Sequence, residues 1–351
     1  MRRGSSSTPT QPLRDHGSVL GIDAGFSRKR RTTGLCRLDW DRDRVDWRCA
    51  KAGTDREDRE RVLASLWGGA ARDVAAVAID GPLRPGLEID ASSYRAAESV
   101  LSRGKFARRG KPGPTHAGSG PALHRAATEL ALLALRTLRV GATDSGVGVV
   151  GGYAVFEAFP NLFLGVLCDE VAYPQRPSRC RKWTDTMFPL VRDKLERLMA
   201  SVIPNRELAG RLDLEDHEER AALVCALTAL CAAQGELVGV GSARDGFIVL
   251  PPLHHWGRSA SGARPWADVE IDRAIAVTRA SFPAVERLPV ADLPPGQRRI
   301  GRASPTTSSN ANDGARCVGR GDSRQPGEGG SGSAATGYPR DREQRNSAGW
   351  R

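Results

Sequence analysis

The sequence predicts an α/β protein: a mixed five-stranded sheet in β-β-β-α-β-α-β-α order, with helices on both faces and a helical insertion between strands four and five. Three observations predict it. Three short apolar runs come first, at 18–23, 32–39 and 44–49, joined by links too short to hold a helix. From residue 56 onward, strand-like runs alternate with segments of helical period. And an acid stands at the end of three separate apolar runs, Val19-Leu20-Gly21-Ile22-Asp23, Val77-Ala78-Ile79-Asp80 and Val155-Phe156-Glu157.

The short links make strands 18–23, 32–39 and 44–49 an antiparallel meander. A helix over about 56–68 then permits a parallel crossover that lays strand 74–80 beside the first strand. The insertion, 81–152, carries helices near 93–103 and 122–138, and a strand over 153–159 follows it. Helices are expected near 183–200 and 215–233. A small hairpin, Leu237 to Val240 and Phe247 to Leu250 around Arg244-Asp245-Gly246, and a helix over 266–281 read as peripheral additions. Residues 1–16 are polar and rich in Pro and Ser, and 296–351 are Gly, Ser, Arg and Asn with almost no aliphatics. Both ends are expected to be disordered, leaving 17–295 as the folded domain.

An apolar share of 40% over 351 residues is enough for a real core. The formal charge is +11, of which residues 1–16 supply +2 and 301–351 supply +3, so the folded part is itself basic. A basic protein favours polyanionic partners, nucleic acid (DNA or RNA) first, although an Arg-rich composition is also what a GC-rich genome produces. The seven cysteines (36, 49, 168, 180, 225, 231 and 317) show no C-x-x-C spacing and read as reduced core residues. The basic N-terminus lacks the apolar stretch of a secretion signal, and no run of about eighteen apolar residues occurs. These features predict a soluble cytoplasmic protein with no membrane partner.

A desolvated carboxylate raises its pKa or finds a counter-charge, so several brought together imply a bound cation or a shared proton. If the first and fourth strands are parallel neighbours, their ends lie about 4.8 Å apart, close enough for Asp23 and Asp80 to share a cation. Asp before Gly is a common turn starter, which gives Asp23 and Asp80 an ordinary reading when each is taken singly. Glu157 is followed by Ala158-Phe159-Pro160 and has no such reading. The fourth element is Asp216-His217-Glu218-Glu219, opening a helix with apolar residues Leu223, Val224, Leu227, Leu230 and Cys231. On a helical wheel Asp216 and Glu219 fall within roughly 40° of Leu223, and Glu218 is expected to point away. Acids in a first helical turn also complement the macrodipole without any further role.

These residues carry a resemblance. Leu20-Gly21-Ile22-Asp23-Ala24-Gly25 followed by Thr33-Gly34 resembles the first hairpin of RNase H-like and RuvC-like nucleases, and Asp216 with Glu219 resembles their paired helix acids. More closely, Ala78-Ile79-Asp80-Gly81-Pro82-Leu83, Phe156-Glu157-Ala158-Phe159-Pro160 and the segment Asp216 to Ala229 resemble a prokaryotic family of expected nucleases, domain of unknown function 429. The resemblance spans about residues 18–251, and Arg95, Glu98 and Lys182 stand where that family has polar positions. Glu219 stands where an aspartate is usual, and Arg28-Lys29-Arg30-Arg31 lengthens the first hairpin loop. The resemblance implies an RNase H-like domain performing metal-dependent phosphodiester hydrolysis with two Mg²⁺ or Mn²⁺ ions. Asp23, Asp80, Glu157, Asp216 and Glu219 would be the catalytic and metal-binding acids. Arg28, Lys29, Arg30, Arg31, Arg95, Lys105, Arg108, Arg109, Lys111 and Lys182 would hold substrate phosphates.

Two other functions fit parts of the pattern. One is a catalytically inactive module that keeps the fold and binds nucleic acid or a partner. The other is an actin-like or sugar-kinase-like phosphotransferase, whose fold also opens with a strand, Asp-x-Gly and a hairpin but needs a second copy of the core. Gly146-x-Gly148-x-x-Gly151 precedes a strand and so lacks the context of a dinucleotide fingerprint. His217, His254 and His255 lack partners at zinc spacing, no G-x-S-x-G elbow is present, and Arg320-Gly321-Asp322 lies in a biased segment.

Overall fold

The computed structural model describes residues 15–68, 72–84, 86, 89–90, 93–108, 110–143, 147, 152–173, 183–289 and 300–301. Strands β1 (Gly17–Asp23), β2 (Thr33–Trp40) and β3 (Arg44–Ala52) form the antiparallel meander that their short links require. Across it, Asp23 lies opposite Gly34, and Gly34 lies opposite Lys51. Helix α1 (Arg56–Ser65), N-capped by Asp55, carries the chain across to β4 (Asp73–Val74) and β5 (Ala76–Asp80). β5 runs parallel to β1 with Asp80 opposite Asp23, as expected of the crossover.

The insertion contributes α2 (Ala96–Leu101), α3 (Gly120–Thr137) and the short strands β6 (Arg139–Val140) and β7 (Ala142–Thr143). β8 (Val155–Ala158) then pairs parallel to β5. It is followed by α4 (Pro160–Leu167), α5 (Trp183–Val202), β9 (Glu207–Leu208) and α6 (His217–Ala233). Helix α4 was not legible in the sequence: its side chains from Leu162 to Leu167 are all buried, and a uniformly apolar run has no helical period.

Among the described residues the architecture is α/β on a large mixed sheet of nine strands, not five. The five strands expected from the sequence lie side by side as β3-β2-β1-β5-β8, and the sheet continues beyond both. β10 (Val238–Ser242) and β11 (Gly246–Leu250) form the expected hairpin, but it is not peripheral. β11 pairs parallel to β8, and β12 (Glu286–Pro289) adds to β10 after helix α7 (Trp266–Thr278). All ten residues of the hairpin strands are buried, which is the property of strands inside a sheet. At the opposite edge β9 pairs parallel to β3. Ile300 and Gly301, within the tail expected to be disordered, form β13 against β7. The rest of that tail and residues 1–14 lie outside the described residues.

Helices cover both faces. On one, α6 packs directly onto β1 and β2 because two glycines remove the obstruction. A Cβ at Gly21 would stand 2.1 Å from Ala222 O and Ala226 N, and one at Gly34 would stand 2.1 Å from Glu218 O. On the other face α3 meets Gly81, where a Cβ would lie 2.9 Å from the Ala127 methyl. Gly81 follows Asp80, so alternation puts Asp80 and its partner Asp23 on the α6 face. Among the described residues no helix is long and apolar enough to cross a membrane. The five described cysteines are unpaired, and all but Cys49 are buried.

Candidate functional site

Asp23 and Asp80 end two adjacent parallel strands in register, on the face that α6 covers. Burial and then the charge of Asp80, followed by Glu218 and Asp216, raise Asp23 well above the ordinary carboxylate range. Burial and then Glu157 raise Asp80 to about 7. Among the described residues no cationic side chain pairs with either one. Beneath them lies the Cys225 thiol, raised by burial and by both carboxylates.

The N-terminus of α6 supplies the remaining negative charge. Asp216 is its N-cap: one carboxylate oxygen accepts the backbone N–H of Glu218 at 3.1 Å and of Glu219 at 3.3 Å. Its other oxygen accepts the Lys51 ammonium at 2.5 Å. Burial pushes Asp216 up, but the hydrogen bonds and the Lys51 charge outweigh it and hold the group below its ordinary value. The Asp216 hydrogen bond in turn holds Lys51 above the usual lysine value.

The helix glutamate that faces the strand pair is Glu218, not Glu219. Glu218, Ala222 and Ala226 stand four residues apart, on the row that rests on Gly34 and Gly21. Gly34 is the cross-strand partner of Asp23, and Asp23 feels the charge of Glu218. Glu219 is raised by burial and then by Asp216, and belongs with the Lys51 pair. The wheel drawn on Leu223 misplaced it because every residue from Ala221 to Ala232 is buried, leaving no polar side to orient the helix. The legible signal was the small-residue row Ala222 and Ala226 facing Gly21 and Gly34. Lys51 went unnoticed as well, although the meander carries it onto the row of Asp23 and Gly34.

Glu157 is not brought into this cluster. Its register partner is Ile79, which alternation places on the face opposite Asp80. There both its oxygens are held: Arg95 donates from Nη2 at 2.6 Å and from Nη1 at 3.1 Å, and Leu83 N–H donates at 3.2 Å. Burial raises Glu157 and Arg95 pulls against it, while its charge still reaches Asp80. Arg95, expected to contact substrate, is 1% exposed. Its guanidinium also bonds Glu98 Oε1 and Thr115 Oγ1 through Nε and the carbonyls of Arg84 and Asp245 through Nη1. This network of Arg95, Glu98, Thr115 and Glu157 ties the insertion to the sheet and has no free donor to offer a phosphate.

The expected phosphate-binding residues separate into groups. Arg28, Lys29 and Arg30 project from the exposed loop that follows Asp23, beside Phe26, which is 45% exposed. Arg31 is turned back onto the Lys51 carbonyl and lies 3.5 Å from Asp58. Lys105 is bound by Glu170 and stands 3.9 Å from Glu270, while Lys111 is exposed. The side chain of Arg108, together with Arg109 and Lys182, lies outside the described residues.

The expectation of five acids around two ions therefore does not match the arrangement. Among the described residues no group of three or more His, Cys, Asp or Glu is set to hold a metal ion. What remains is a half-buried pair at adjacent strand ends, Asp23 and Asp80, whose donor chemistry suits one hard divalent cation that brings further ligands of its own. Comparison with protein-family models, with characterised proteins and with solved structures found no match.

Proposed function

We propose that the chain is an RNase H-like, metal-dependent nuclease that hydrolyses phosphodiester bonds of DNA or RNA with Mg²⁺ or Mn²⁺ at Asp23 and Asp80. The observation that carries this reading is the pair itself: two half-buried carboxylates in register on parallel strands, raised in pKa and without a cationic partner among the described residues. The central strand arrangement β3-β2-β1-β5-β8, antiparallel then parallel, supports the fold assignment. So does the helix whose N-terminal acids meet the strand ends.

In this reading Asp23 and Asp80 would hold a divalent ion, which would supply positive charge to the substrate phosphate and acidify a water. Glu218, on α6, would add negative charge to that site. Arg28, Lys29 and Arg30 attract the nucleic-acid backbone to the open side of the pair. Arg95 and Glu157 act from behind, fixing the start of the insertion at Leu83 next to the end of β5.

A second reading is favoured by the lack of a three-ligand group among the described residues. It is an inactive nucleic-acid-binding module that keeps the exposed basic loop. The phosphotransferase reading lacks support, since the described residues build one large sheet instead of two copies of a core. The deciding experiment incubates the purified chain with single-stranded, duplex, hybrid and branched nucleic acids in Mn²⁺, Mg²⁺ or EDTA, beside an Asp23→Asn/Asp80→Asn variant. Cleavage that needs metal and vanishes in the variant is the expected result. Binding without cleavage, equal in wild type and variant, sustains the inactive module instead.

A further inference from the structure

We infer that the site takes a single divalent cation, because the Lys51 ammonium occupies the place beside Asp216 where a second would bind. This rests on the proposed metal-dependent reading and alters its stoichiometry. Asp23, Gly34 and Lys51 form one continuous row across β1, β2 and β3. Residues on one such row point to one face of the sheet, so Lys51 is directed to the same α6 face as Asp23. The glycine between them leaves that space open to α6, whose Glu218 carbonyl rests on it.

The outcome is a cation built into the acidic cluster. Lys51 Nζ lies 2.5 Å from Asp216, and its charge is felt by Glu218 and Glu219 as well. Both Asp216 oxygens are engaged, one by the first-turn N–H groups of α6 and the other by the Lys51 ammonium. A second dication at Asp216 must displace the ammonium or sit against it, and like charges at such a distance repel strongly inside a protein. A dication at Asp23 and Asp80 meets no such obstacle. Lys51 is thus a positioning residue. It offsets part of the negative charge at the helix end of the cluster, holds Asp216 as the cap of α6, and leaves the strand pair as the place in this cluster for a metal ion.

The test is the number of Mn²⁺ ions bound per chain, measured by calorimetry and by the loss of the free-Mn²⁺ electron paramagnetic resonance signal. The full-length wild type, Lys51→Met, Lys51→Arg and Asp23→Asn would be compared, with circular dichroism to confirm folding. Wild type and Lys51→Arg are expected to bind one ion. Lys51→Met, which frees Asp216, is expected to bind two, and Asp23→Asn to lose the first. Two ions in wild type overturn the inference and leave the metal-dependent reading standing. One ion in a folded Lys51→Met does the same. No ion in wild type overturns the metal-dependent reading itself and the inference with it.

Discussion

Replacing Asp80 by Asn should stabilise the protein, and the gain should depend on pH in a way that follows from the site. Asp80 titrates at about 7 in the fold, against an ordinary value of 3.8. Between those values the folded state holds a proton that the unfolded chain has released, so stability falls as pH rises from about 4 to about 7 and then levels off. Below about 4 both states are protonated and no penalty exists. Each pH unit is worth about 1.4 kcal/mol, so the ionised group destabilises the fold by about 4 kcal/mol at pH 8 and by under about 2 kcal/mol at pH 5. Asn is nearly isosteric and never ionises. Urea unfolding of wild type and Asp80→Asn in EDTA should therefore show the variant ahead by about 4 kcal/mol at pH 8, with the gap closing as pH falls. Saturating Mn²⁺ should narrow the gap at pH 8 by stabilising wild type alone. A variant less stable than wild type at pH 8, or a gap that does not change with pH, would refute the claim that Asp80 is a desolvated, uncompensated acid.

Gly21→Ala puts a methyl group 2.1 Å from the α6 backbone and should cost about 3 kcal/mol or prevent folding, read from the urea midpoint. Arg95→Met leaves Glu157 and Glu98 buried without their cation and should cost about 3 to 5 kcal/mol, whereas a loss under about 1 kcal/mol would contradict the keystone role given to Arg95. Replacing Arg28, Lys29 and Arg30 together by Ala should weaken nucleic-acid binding and lower the slope of log affinity against log salt by about 2 to 3. An unchanged slope would remove that loop from the phosphate contacts.

The legible and illegible parts of the site differ in what determines them. Asp23 and Asp80 were readable as possible neighbours because short links favour a meander and a single helix permits a parallel crossover. Both constraints are local to the sequence. The orientation of α6 was not readable from its apolar residues, since the helix is buried on all sides. It is set by where two glycines on other strands allow close approach. Glu157 read as a ligand because its partner lies 62 residues away, in an insertion whose shape no period reveals. Arg95 and Glu98 were visible as a polar pair, yet their spacing gave no hint that both would be fully desolvated. The outer strands β10, β11 and β12 were readable as strands or left unread, and their membership of the main sheet depends on a parallel pairing of β11 with β8 across almost ninety residues.

The central claim is that Asp23 and Asp80 together hold a divalent cation. Anomalous diffraction from crystals grown in Mn²⁺ tests it most directly. One anomalous peak per chain is expected, about 2 Å from a carboxylate oxygen of each of Asp23 and Asp80, with Lys51 still bound to Asp216. Well-ordered carboxylates with no peak between them, or a peak at Asp216 in place of Lys51, would contradict it.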